Sequence, residues 1–365
     1  MFKFKVFIAL LVFVFSSLNV YAIDEKTELK TENIKVRVEK FLDCSISEDG
    51  ISDCKKMMVR VLDGSLKGRV FNLDLSYLDL MQKNLHLKEG AKFYGTYYGL
   101  DDDNNPKIIL GEVDRTFSLF LLLVIFLGLV IIIGGKQGVF SIVALVLNFF
   151  VLIYIVASGV LSGFNSLILV VFGGIVLLSF SMFITYGFNK KSLSAFLSSV
   201  SGLFITILLT LVFLPLSKMT GFATEEASFL AGIFTNISMK DVLFVGICVG
   251  ILGILDDVTV NQSSLTFQLV SANPKLSKAQ VFFKSLAVGK DHMASMVNTL
   301  IIAYAGASFP LFLLLIKDTD ASLLSILNME MISEEILRML IGSIGIIVTI
   351  PISAYIATIF AKKTS

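Results

Sequence analysis

Gly246 to Ser264 reads GICVGILGILDDVTVNQSS. The run opens as an apolar, glycine-spaced membrane helix. It then carries Asp256 and Asp257 inside that helix, followed by Thr259, Asn261, Gln262, Ser263 and Ser264. An ionised carboxylate in hydrocarbon costs several kcal/mol, so such groups turn to a bundle interior or to water. Two adjacent acids therefore need water, cations, protons or polar partners, and the stretch reads as the functional centre of a polytopic membrane protein.

The rest of the chain agrees with that class. Of 365 residues, 55% are hydrophobic and only 16% charged, with a formal net charge of +1. Soluble domains carry about 25% charged residues, so this balance belongs to an integral membrane protein. Without a basic excess there is no case for nucleic acid as a partner. Trp is absent, so interfacial aromatic anchors must be Tyr and Phe.

The sequence divides into three parts. Residues 1–22 have Lys3 and Lys5, an apolar core from Val6 to Phe15, and Val20-Tyr21-Ala22 at a cleavage position, the pattern of a secretory signal. An uncleaved anchor would equally send the next segment outward. Residues 23–115 are soluble in composition and read as an exported β-rich domain. Short runs such as Ile34-Val36-Val38, Met58 to Leu62 and Phe93 to Tyr98 alternate with turn signals at Asp63-Gly64, Lys67-Gly68 and Glu89-Gly90. About five strands fit a small barrel or sandwich, an OB-like barrel being one such fold. Cys44 and Cys54 flank Glu48-Asp49-Gly50 and are expected to form a disulfide outside the cytoplasm. Two thiols with no neighbouring His do not make a zinc site.

Residues 116–365 form the transmembrane helical domain. Apolar windows of about 20 residues give about seven helices: Phe117–Gly134, Val139–Ala157, Asn165–Thr185, Ser194–Leu216, Val242–Val260, Met293–Ile316 and Ile336–Phe360. With the β-rich domain outside, the loops expected in the cytoplasm hold Lys136, Lys190, Lys191, Lys275, Lys278, Lys284, Lys290, Lys362 and Lys363. The outer loops are richer in acids, among them Glu225, Glu226, Glu330, Glu334 and Glu335. Positive residues thus lie inside and the C-terminus is cytoplasmic, in a cell (inner) membrane. In the longest inner connection, Ser277 and Gln280 have capping-box spacing and begin a helix that either lies on lipid or packs on the bundle.

On the fifth span, Asp256 and Asp257 come about 15 residues after Asp241, roughly 23 Å down the helix. Asp257, Asn261, Ser264 and Gln268 share one helical face, and Gly246 and Gly250 offer a small-residue surface for close helix contact. The sixth span begins at the same depth with Asp291-His292, then Ser295 and Asn298. The candidate ion- or proton-binding set is Asp256, Asp257, Asn261, Gln262, Asp291, His292 and Asn298, since carboxylates and imidazole are the groups that bind and release protons. The same residues also fit interhelical hydrogen-bond glue, with Asp291 capping the sixth span. At the outer face, Glu225, Glu226 and Arg338 are the candidate charges. Arg338 is expected to snorkel to the surface, pairing with a nearby Glu being the alternative. Cys248 is expected to pack in the core.

No nucleophile set, Walker loop, dinucleotide fingerprint or HExxH site is present, so neither an enzyme nor a cofactor is expected. Transport of a small ion or proton through the inner-face cluster is one reading. A scaffold whose outer domain binds an envelope protein is the other.

Several unusual motifs occur in one order: GILGILDDVTVNQSS at Gly250–Ser264, ANPKLS at Ala272–Ser277, and VGKDHMASMVNTLIIAYAGASFPL from Val288. TGFATEEASFLAG at Thr220–Gly232, ILRMLIGSIGIIVTIPIS at Ile336–Ser353 and the YGFNKKS loop at Tyr186 accompany them. Over roughly Asp114 to Phe360 the chain resembles the YibE/F family of bacterial membrane proteins. The resemblance implies a multi-helix inner-membrane protein with an exported N-terminal part, and it supplies no substrate. Asp257 falls on the family's most typical acidic position, and Tyr186 stands where the family pattern carries His before Gly-Phe.

Overall fold

The computed structural model describes residues 32–46, 52–74, 88–100, 106–310, 313 and 322–362. The expected signal (1–22), the turn at Glu48-Asp49-Gly50 and the end of the expected sixth span lie outside the described residues. The chain divides into two compact units, one ending at Gly128 and the other beginning at Leu129.

In the first unit, β1 (Glu32–Ile46), β2 (Ser52–Val61), β3 (Val70–Asp74), β4 (Lys92–Leu100) and β5 (Pro106–Val113) form one antiparallel sheet in the order β3-β2-β1-β4-β5. Alternation decides its faces, because successive strand residues point to opposite sides. Ile34, Val36 and Val38 of β1 are buried with Met57, Val59 and Val61 of β2, Leu73 of β3 and Phe93 of β4. Asn33 and Arg37 are exposed between them. The five-strand expectation holds, but the sheet is open: among the described residues no β3–β5 ladder closes it into a barrel. Lys35 Nζ meets Asp114 Oδ2 at 2.6 Å, and Asp114 Oδ1 accepts from Thr116 N at 3.0 Å, which ties the sheet to the first turn of the helix that follows.

That helix, α1 (Thr116–Val151), continues through a π-helical turn (Leu152–Ala157) into α2 (Ser158–Leu161). After it come α3 (Ser166–Ser179) with a second π-helical turn (Phe180–Ile184), α4 (Lys190–Leu216), α5 (Glu225–Ile233), α6 (Met239–Ala272), α7 (Lys278–Ala307), α8 (Leu323–Leu327) and α9 (Glu330–Lys362). Among the described residues, five helical stretches are long and apolar enough to cross a membrane: Thr116–Leu161, Ser166–Ile184, Lys190–Leu216, Met239–Ala272 and Glu330–Lys362.

The five stretches hold six of the seven expected spans. Thr116–Leu161 contains the first two, as two helices that meet at Gly135 (φ 53, ψ −130), a backbone conformation that is essentially glycine-only. The bend brings Gly138 against Val130, where a Cβ would sit 2.1 Å from the carbonyl oxygen. The expected sixth span, Met293–Ile316, begins within α7, which runs on from Lys278, and most of its residues after Pro310 lie outside the described residues. The fifth span also runs past Val260 to Ala272, because no Pro or Gly interrupts it before Asn273-Pro274.

α4, α6 and α9 pack on one another at the centre of this unit. Leu203, Ile247, Ile251, Leu255 and Ile341 fill the contact, and Val258, Leu300, Ile346 and Ile350 continue it along α7. Cys248 is buried there, as expected, with Sγ 3.9 Å from Thr210 Oγ1.

Candidate functional site

α6 starts at an N-cap, Ser238, whose side chain accepts from Asp241 N. From there one uninterrupted helix carries the acid pair to mid-length. Consecutive residues on a helix point about 100° apart, so the two carboxylates leave α6 toward different neighbours.

Asp256 turns toward the second π-helical turn. Ser181 Oγ donates to its Oδ2, while Oδ1 is buried with no hydrogen-bond partner among the described residues. Asn148 Oδ1 on α1 is buried and unpartnered in the same way. Both residues line a cavity of about 190 Å³ between α1, α3 and α6, whose other walls are largely Leu, Val and Phe.

Asp257 lies on the exposed side of α6, within electrostatic reach of His292 on α7. His292 is half-buried, and its Nε2 is buried without a partner among the described residues. The Tyr186 phenol, at the end of the second π-helical turn, is in electrostatic reach of both Asp256 and Asp257. The Lys191 ammonium lies 5.8 Å from the Tyr186 ring centroid.

Of the remaining candidates, Gln262 is engaged through its amide nitrogen. It is 3% exposed, and its Nε2 donates to Ser285 O at 3.0 Å and Ser285 Oγ at 2.6 Å. Thr266 Oγ1 joins Ser285 Oγ at 2.6 Å, and a Cβ at Gly289 would lie 2.6 Å from Gln262 Oε1. This pins α6 to α7 at close range, the glue role that buried amides and hydroxyls play between membrane helices. Asn261, Asp291 and Asn298 are exposed. Asp291 does not cap a helix, because α7 begins earlier, at the capping box of Ser277 and Gln280. Val281, Ser285 and Gly289 are buried, so the N-terminal half of α7 packs on the bundle. The cluster therefore splits into an Asp256 side, an Asp257 side and a structural Gln262 lock.

Sequence reasoning passed over Asn148 and Ser181. Asn148 is a lone polar residue in LVLNFFVL and Ser181 is one of two serines in the otherwise apolar LSFSMF, and that contrast was the available signal. It also passed over a seam of buried hydroxyls along α4: Ser194 Oγ reaches Ser263 Oγ at 3.2 Å and Ser199 Oγ reaches Thr259 Oγ1 at 2.6 Å.

At the other end of the unit, Arg338 does not snorkel free. Its guanidinium pairs with Glu334 at 2.7 Å and Glu335 at 2.6 Å and stands 6.0 Å from the Tyr304 ring. Spacings of three and four residues make these acids its helical neighbours. Glu225 and Glu226 occupy the first turn of α5 and are exposed. Cys44 and Cys54 are direct partners in the β1–β2 register.

A family model described as YibE/F-like protein matches residues 122–363. Among curated proteins and among solved structures, none matches the chain.

Proposed function

Given that this chain belongs to the YibE/F-like family, we propose that it is a multi-pass inner-membrane protein that binds and moves a proton or small ion through the Asp256–Asp257 centre. One observation carries the reading: two adjacent carboxylates sit inside an apolar helix, and each meets a different set of polar groups. Asp256 meets Ser181, and Asp257 lies near His292. A carboxylate kept at membrane depth without a cationic partner holds a proton, a cation or water, and its retention marks an ion pathway. The protein is not an enzyme. Residues 1–22 export the β-rich unit, which lies outside the membrane and is available to an envelope protein, with the C-terminus in the cytoplasm.

The test uses Asp257→Asn in proteoliposomes, with folded yield and flux of protons and alkali cations measured together. Normal yield with flux lost supports the reading. Wild-type vesicles that pass neither protons nor cations refute it. A cysteine at position 190 that is labelled from outside refutes the orientation.

The scaffold reading has one observation in its favour: the satisfied Gln262–Ser285–Thr266 network locks helices without leaving a free ligand. It requires Asp257→Asn to be silent in every transport assay.

A further inference from the structure

Three features meet at the cavity beside Asp256. Its walls are apolar, with Leu152, Leu177, Leu178 and Leu252 among them. Its polar end offers Asp256 Oδ1 and Asn148 Oδ1, both acceptors, both buried and both unpartnered among the described residues. Asn148 also brings its own amide donor, Nδ2, and Ser181 already gives its hydroxyl proton to Asp256 Oδ2. The two π-helical turns border the same space, since Leu152 opens the first and Ser181 lies in the second. Such turns insert an extra residue that re-aims side chains, and they recur at functional sites.

We infer that this cavity is the binding site for a small organic ammonium with an aryl or alkyl body. The inference rests on the acid pair being a functional centre, and it assigns Asp256 a substrate role distinct from that of Asp257. Size sets the first limit. A cavity of about 150 Å³ lined by Leu, Ile and Phe holds benzene, so about 190 Å³ holds a ring and a short amine arm. Chemistry sets the second. Two unpaired acceptors call for a ligand rich in donors, and an ammonium group brings three with no acceptor. A carboxylate at the polar end repels anions. A neutral apolar guest would leave both oxygens unpaired, which buried polar groups do not tolerate. Hard divalent cations take about six to eight oxygens, and these walls supply far fewer. The rim gives access, because Leu145 and Phe149 are exposed among the described residues. An ammonium seated here with a proton exchanged at Asp257, one residue on and about 100° around the helix, places substrate and coupling ion on different faces of one helix.

The experiment is equilibrium binding of radiolabelled phenethylamine to the full chain in lipid nanodiscs at neutral pH, where the amine is the ammonium. Saturable binding is expected, with neutral 2-phenylethanol competing at least about tenfold more weakly because it lacks the charge. Asp256→Asn should weaken binding by at least about tenfold. Should that variant fail to fold, Leu145→Trp at the exposed rim fills the cavity from outside and should abolish binding while keeping a normal elution profile. Absence of saturable binding to folded wild-type protein overturns the inference. So does equal competition by the neutral alcohol, or retained binding in both folded variants. Binding is read without flux, so its failure leaves proton or cation movement through Asp257 standing, and loss of that movement leaves the binding result intact.

Discussion

Ser181 Oγ donates to Asp256 Oδ2 across 75 residues of sequence, joining the second π-helical turn to the middle of α6. An α-helical Phe180–Ile184 would present its side chains at different angles, so the π-helical turn and the acid are parts of one arrangement.

Ser181→Ala removes one hydrogen bond and little volume. It should lower the stability of the folded chain by about 1 kcal/mol, seen as a melting midpoint only a few degrees lower in detergent. Asp256→Leu should retain the fold and empty the cavity of its polar end. A large and equal loss of folded protein in Ser181→Ala and Asp256→Leu would show that this bond serves the fold.

Gln262→Ala should be the most damaging single change at the centre. It strips two donated bonds from Ser285 and opens a void in a fully packed contact, together worth about 2–5 kcal/mol. Folded yield should fall sharply while the residual folded fraction keeps its flux per molecule. Asp257→Asn should do the reverse, since Asp257 lies on the exposed side of α6. Yield and flux measured side by side separate the two.

In the β-rich unit, hydrogen bonds from the Lys35 ammonium and then from Thr116 hold the Asp114 carboxyl well below its ordinary 3.8, and Asp114 in turn raises Lys35. A depressed folded value means the stabilisation is present above the ordinary carboxylate range and is lost as pH falls through the lowered value. Asp114→Asn should therefore speed amide exchange at Val36 and Val38 at neutral pH. The gap between variant and wild type should narrow in strong acid, once the wild-type carboxyl is protonated. A constant gap at every pH would exclude the ion pair as its cause.

Cys44 and Cys54 are paired in the β1–β2 register, and backbones so paired bring two residues within the Cα separation of about 4.4–6.8 Å that a disulfide spans. Protein isolated with its export intact should take up maleimide at neither cysteine until reduced, and should take up two labels afterwards. Two labels without reductant would leave both thiols free.

The sequence by itself determined the class, the family, the β-rich unit followed by apolar helices, and the place of the acid pair. These follow from local composition, period and motif, and a carboxylate in an apolar run is conspicuous wherever it falls. Asp257, Asn261 and Gln268 share an exposed face because a 3.6-residue period fixes which residues face together.

Tertiary structure decided what those residues meet. Asn148, Ser181 and Asp256 are far apart in sequence, and only the packing of α1, α3 and α6 brings them to one cavity. Gln262 looked identical in kind to Asn261. Packing against Ser285 made the first a lock and left the second exposed. Arg338 found its acids on its own helix, and Gly135 set the sharp turn between the first two expected spans. Helix periodicity says which residues share a face, but which neighbour covers that face depends on the whole bundle. The two adjacent acids diverge for that reason: one lines a cavity, and the other lies on the exposed side of α6 within electrostatic reach of His292.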